Sequence, residues 1–385
     1  MRELDPELAA RVRQRLARSD GPVTTAQVAA VLRSETQGVV GDVALLELVR
    51  AAQSEFVGAG PLEPLLRDPQ MTDVLVNGPG EVWVDRGDGL QCTDIRFADE
   101  DAVRRLAVRL ASAAGRRLDD AQPWVDATLR DGTRLHAVLP PIAAGGTCLS
   151  LRVLRSRSFT LAELIAGGSL TPDGARLLEA LIAARLAFLV TGGTGSGKTT
   201  LLGSLLGLVD PGERIVLVED AGELRPQHPH LVGLVARPPN VENAGAVTLR
   251  DLVRQALRMR PDRVVVGEVR GAEVVDLLAA LNTGHDGGCG TIHANGIEEL
   301  PARLEALGAL GGLGRAALHS QVAAAIQVVV HVARGSDGRR QVRELGILER
   351  AGEHVQVRTA WRCPSGAGPA MPELARLLAA RGVPV

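Results

Sequence analysis

The chain of 385 residues sets 43 Lys and Arg against 45 Asp and Glu, a formal charge of −2, with 45% hydrophobic and 23% charged residues. That near-neutral balance is ordinary for a soluble globular protein and speaks against one whose main task is to coat nucleic acid. Three Trp, four Phe and no Tyr leave too few aromatic rings for a platform that stacks single-stranded bases.

The length exceeds one ordinary core, so two main domains with smaller appendages are expected. Cys92, Cys148, Cys289 and Cys363 are scattered without paired spacing, which points to a reduced, intracellular protein. The first twenty residues are charged and amphipathic without an apolar signal core. No run approaches the about 18 apolar residues that a membrane span needs, so membrane association would go through a partner or a surface patch.

In chain order, apolar residues recur at helical spacing over Pro6–Ala17, Thr24–Val31 and Val39–Phe56, a small helical module filling 1–57. Gly58–Pro64 breaks that period and reads as a linker. An α+β domain over 58–155 follows, with an antiparallel sheet predicted from strands at Asp73–Asn77, Glu81–Asp85, Arg134–Leu139 and Cys148–Leu154 and a helix at Asp99–Ala114. Arg130, Arg134, Arg152 and Arg155 lie on or beside those strands, where they are either surface residues or face an anion.

From about 156 to 350 helices alternate with apolar strands. Strands are expected at Ala187–Thr191, Arg214–Glu219, Val264–Gly267 and Cys289–His293, and helices at Thr171–Ala184, Lys198–Leu206, Leu249–Met259, Glu273–Leu281 and Ile297–Leu307. This alternation predicts an α/β, doubly wound parallel sheet that binds ligands at the carboxyl ends of its strands. A helix at Arg315–Ile326 and strands at Val328–Val332 and Val342–Glu349 come next. Residues 351–385 read as a tail interrupted by Pro and Gly, with a short helix near Glu373–Ala380.

One stretch carries the sharpest chemistry. LAFLVTGGTGSGKTT runs from Leu186 to Thr200 and contains G-x-x-x-x-G-K-[ST] between Gly192 and Thr199. Glycines 192, 193, 195 and 197 let backbone N–H groups turn inward at a helix start, an anion nest that Thr194, Ser196 and Thr200 complete. Lys198 is the one lysine of the whole chain. Its compact ammonium reaches β and γ phosphates where a planar guanidinium is too broad, and the Thr199 hydroxyl ligates Mg²⁺.

Other strand ends converge on this loop. IVLVED delivers Glu219 and Asp220, VVVGEVRG delivers Glu268 and Arg270, and GTIHAN delivers His293. Hydrolysis of a nucleotide requires a carboxylate near the metal, another that handles the attacking water, and cations for the phosphoryl oxygens. Glu268 is assigned to the metal shell and Glu219 to the water, roles the two could exchange, with His293 sensing the γ-phosphate. A zinc site from His285, Cys289 and His293 is set aside, because the glycines among them preclude one ligand-bearing helix and no fourth ligand follows.

Together GGTGSGKTT, ERIVLVEDAGEL, TLRDLVRQALRMRPDRVVVGEVRGAE and NTGHDGGCGTIHANG resemble the secretion ATPase superfamily, and within it the CpaF/TadA-like ATPases of Tad (Flp) pilus assembly. Upstream, VDATLRDGTRLHAVLPP and CLSLRVLR resemble that family's amino-terminal domain. The resemblance implies a RecA-like P-loop core, a smaller PAS-like amino-terminal domain, ATP and Mg²⁺ as cofactors, and a cytoplasmic homohexamer at the inner face of the membrane. Its partners would be inner-membrane platform proteins, with indirect action on pilin and no direct nucleic-acid contact. Arg152 matches a family arginine that closes over the phosphates, while Thr128 stands where many relatives carry another, which Arg130 or Arg134 would replace. A conjugal DNA-transfer motor and a nucleotide-gated scaffold without turnover are the competing expectations.

Overall fold

The computed structural model describes residues 6–16, 25–35, 48–49, 52, 58–87, 89–154, 158–240, 244–335 and 338–384. The chain divides into two compact units, Met1–Arg155 and Ser156–Val385.

In the first unit, helices α1 (Pro6–Leu16) and α2 (Thr25–Glu35) bury Leu8, Val12, Leu16, Val28 and Leu32 against one another. Most of the third expected helix, Val39–Phe56, and Arg155 lie outside the described residues. The stretch read as a linker is instead a 3₁₀ turn at Gly60–Leu62 running into α3 (Glu63–Leu66). Pro61 and Pro64 sit where their missing N–H groups cost nothing, at the starts of these turns.

A six-stranded sheet follows, in the order β3-β2-β1-β6-β5-β4 with every neighbouring pair antiparallel. Its strands are β1 (Asp73–Asn77), β2 (Val82–Asp85), β3 (Leu90–Cys92), β4 (Trp124–Thr128), β5 (Arg134–Val138) and β6 (Cys148–Arg152). Alternate residues Val74, Val76, Val84, Val125, Leu135, Leu149 and Leu151 share a core with Val103, Leu106 and Leu110 of α4 (Glu100–Ala113). Strands β3 and β4 escape sequence reading, since β3 is three exposed residues and β4 shows one buried position, Val125.

The second unit holds a nine-stranded sheet in the order β15-β14-β13-β12-β7-β11-β10-β8-β9. From β12 (Val328–Arg334) through β7 (Phe188–Thr191), β11 (Cys289–Ile292), β10 (Arg263–Val269) and β8 (Ile215–Glu219) to β9 (Leu231–Val235) all pairs are parallel. β7, β8 and β11 are buried at every position, as expected of strands covered on both faces. One face packs α5 (Leu161–Ala166), α6 (Pro172–Ala183) and α7 (Lys198–Leu206). The other packs α8 (Leu249–Ala256), α9 (Glu273–Leu281), α10 (Leu300–Leu310) and α11 (Arg315–Ala325).

The residues read as a tail extend this sheet. β13 (Arg340–Ala351) and β14 (His354–Arg362) form an antiparallel ladder ending in the two-residue β15 (Gly366–Ala367), and α12 (Met371–Ala380) returns Leu374 and Leu378 to the core beside Trp361. Gly352 and Pro364, which suggested irregular chain, are the punctuation between these elements.

Candidate nucleotide site

Strand β7 ends at Thr191, and the chain then turns through Gly192–Gly197 into α7. Gly197 occupies the N-cap with φ of 97° and no side-chain cap bond, so the N–H groups of the first turn remain open to an anion. Gly192 is required by close approach, because a Cβ there would sit 2.2 Å from Val332 O and 2.5 Å from Ser196 Oγ. Gly193, Thr194 and Gly195 are exposed at the apex, Thr199 is half-buried, and Thr200 is exposed with its carbonyl accepting from Ser204 Oγ at 3.0 Å.

Lys198 is 7% exposed, and its Nζ donates to Gly192 O at 3.0 Å and Gly193 O at 2.9 Å. It also lies 3.4 Å from His293 Nδ1. The other imidazole nitrogen, Nε2, is 2.6 Å from Glu268 Oε1, and Arg270 Nη2 donates to Glu268 Oε2. Three strand ends thus supply one row of charge, Lys198, His293, Glu268, Arg270.

Burial depresses the Lys198 ammonium, an effect the Glu268 charge opposes. Burial and then the Lys198 charge likewise hold His293 below its usual value, against Glu268. Desolvation would raise the Glu268 carboxyl, but the Arg270 hydrogen bond with the charges of Arg270, His293 and Lys198 outweighs it and leaves the pKa lowered.

Glu219 behaves in the opposite way. It is 5% exposed, and burial raises its pKa to about 7 although Oε1 accepts from Leu224 N at 2.9 Å and Glu223 N at 3.1 Å. The β8–β10 register, Val218 opposite Val266, brings it beside Gly267, where a Cβ would lie 2.7 Å from Glu219 Cγ. The glycine preceding Glu268 is therefore the floor on which Glu219 rests. Two carboxyls in one site with pKa values driven apart are the physical basis for separate acid–base and charge-holding roles.

The site fits a nucleotide with Mg²⁺. Ser196 Oγ is buried and has no hydrogen-bond partner among the described residues, and the hydroxyl and carboxylate oxygens of Thr199 and Glu268 are the hard donors this ion takes.

Arg134 and Arg152 belong to the first unit. They stand directly opposite each other on β5 and β6, and Thr128 stands opposite Arg134 on β4. Arg152 Nε donates to Asp73 Oδ1 at 3.0 Å. The register therefore puts Thr128, Arg134 and Arg152 in one row on one face of the sheet. Sequence reading missed Arg340, whose Nε donates to Gly195 O at 2.8 Å; in a chain this rich in arginine nothing singled it out.

A sequence profile described as Type II/IV secretion system protein matches residues 55–367. The chain belongs to that family. Among relatives in the type II/IV secretion family, a Mycobacterium tuberculosis (H37Rv) protein provisionally named for conjugal transfer is 64% identical over 334 residues, covering 85% of this chain and 95% of that one. Type IV secretion system protein PtlH of Bordetella pertussis is 33% identical over 310 residues, covering 73% and 91%. The X-ray structure of the Legionella pneumophila ATPase DotB superposes with a TM-score of 0.52 at 22% identity, over 73% of this chain and 78% of that one. That likeness concerns the fold, and with the strand order above it is that of a RecA-like core.

Proposed function

We propose that the chain is an ATP-hydrolysing motor of a secretion or pilus machine. The row Lys198, His293, Glu268 and Arg270, assembled from three strand ends at the mouth of a phosphate loop, carries this reading. The loop N–H groups and the Lys198 ammonium hold the β and γ phosphates. Thr199 and Glu268 would hold Mg²⁺, which would supply charge neutralisation for phosphoryl transfer. Glu219, raised to about 7, exchanges its proton near neutrality, and its ionised form is suited to accept a proton from the attacking water. His293 sits between Lys198 and Glu268, so a change at the γ-phosphate reaches both.

Lys198→Ala is expected to abolish phosphate release from ATP, by at least about 100-fold, while far-UV circular dichroism stays unchanged. Normal turnover in that variant would sink the proposal.

The machine we favour is a Tad/Flp-type pilus or type II-like secretion apparatus, with the chain working as a homohexamer on membrane platform proteins. The motifs from GGTGSGKTT to GTIHAN and the neutral charge support it. Conjugal DNA transfer is the second reading, favoured by the name of the Mycobacterium tuberculosis relative. A turnover rate stimulated by DNA and suppressed by salt selects the second; indifference to DNA selects the first.

A further inference from the structure

The phosphate loop meets its neighbouring strands at two points. At its base Gly192 lies against the backbone of β12, so closely that a Cβ would fall 2.2 Å from Val332 O. At its apex Gly195 O accepts the hydrogen bond from Arg340 Nε, at 2.8 Å. Arg340 is the first residue of β13, paired with Arg334 at the end of β12. β12 runs parallel to β7 with His331 opposite Thr191, so the end of β12 and the start of β13 are carried up beside the loop. The stem of Arg340 also covers Gly197, its Cδ 3.5 Å from where a Cβ would project.

We propose that Arg340 is a positioning residue that holds the phosphate loop open for its anion; the inference rests on the nucleotide-binding reading above. A trans peptide is planar, with its C=O and N–H pointing in opposite directions. Drawing Gly195 O outward onto the guanidinium therefore turns the N–H of Ser196 inward. Within the loop that N–H meets Gly193 O at 3.4 Å, too long to fix the plane unaided. Gly195 adopts φ of 69° and is exposed, so it has no side chain with which to hold its own conformation. A guanidinium bond is charge-assisted and directional, and it supplies the restraint from outside the loop. Phosphate is gripped by the loop equally in the ground state and the transition state, so the loss belongs in affinity and not in the rate at saturation.

The test compares Arg340→Ala with Arg350→Ala in the full chain. Arg350 lies far along β13, where its Nε bonds its own turn at Gly352 O. Fluorescence titration with ATP and ADP is expected to show an about tenfold weaker Kd for both nucleotides in Arg340→Ala. Its kcat at saturating ATP stays within about twofold of wild type, with an unchanged unfolding midpoint, and Arg350→Ala matches wild type throughout. A purely structural arginine would lower the midpoint without this split between Kd and kcat. Nucleotide affinity within about twofold of wild type in Arg340→Ala overturns the inference alone. Failure of the wild-type chain to bind either nucleotide overturns the nucleotide-binding reading and the inference with it.

Discussion

At Glu219 the protein keeps a carboxyl almost wholly out of water beside a glycine, and its proton becomes a measurable part of stability. Its folded pKa, about 7, lies above that of an ordinary glutamate, so the folded state binds the extra proton between roughly pH 4.5 and pH 7. Stability from this group is complete below that window and is lost as pH rises through it, on the order of 2–3 kcal/mol by pH 8. Glu219→Gln removes the titration while Oε1 can still accept from Glu223 and Leu224. Urea unfolding is expected to find this variant more stable than wild type at pH 8 and nearly equal at pH 5, and the same variant should lose turnover. At this scale the loop was the most legible part, because Gly192–Thr199 is contiguous and its spacing carries its own chemistry. The contact between Glu219 and Gly267 was not, since 48 positions of chain separate them and only the strand register joins them.

Among the elements, β10 has the most demanding sequence, packing on both faces and giving up one side chain to its neighbour. Gly267→Ala would push a methyl to 2.7 Å from Glu219 Cγ. About 1–3 kcal/mol of destabilisation is expected, together with a fall in kcat larger than any change in ATP affinity, read by steady-state kinetics. Strands β7, β8 and β10 could be read from sequence because both-face burial gives the apolar runs FLV, IVLV and VVV. β9 could not: it is an edge strand whose apolar run is broken by Gly233 and whose Val235 is half exposed. The row formed by Thr128, Arg134 and Arg152 has the same character. Each residue was conspicuous alone, but their adjacency comes from the pairing of β4, β5 and β6.

Across the whole molecule, the sheet of the second unit continues beyond its parallel half into β13 and β14, so the described residues from 351 to 384 are part of the fold. Trp361 is 4% exposed and shares a core with Leu374 and Leu378, and a Cβ added at Gly174 of α6 would lie 3.0 Å from its ring. Trp361→Ala is expected to cost about 3–5 kcal/mol, measured by denaturant unfolding, and to destabilise β14 and α12 together. The alternation of helix and strand announced the parallel part because its period is regular. The antiparallel extension was hidden by Gly352 and Pro364, which look alike whether they end a domain or turn a hairpin.

One feature of Lys198 reaches outside nucleotide chemistry. The chain has no other lysine, and this one is buried with its amine bonded to two carbonyls. Reagents that acylate lysine amines, and proteases that cut only after lysine, therefore have a single side-chain target within the 385 residues. Reaction there is expected only where the two carbonyl contacts of its amine are broken. Labelling or cleavage at Lys198 would time the breaking of those contacts without any engineered probe.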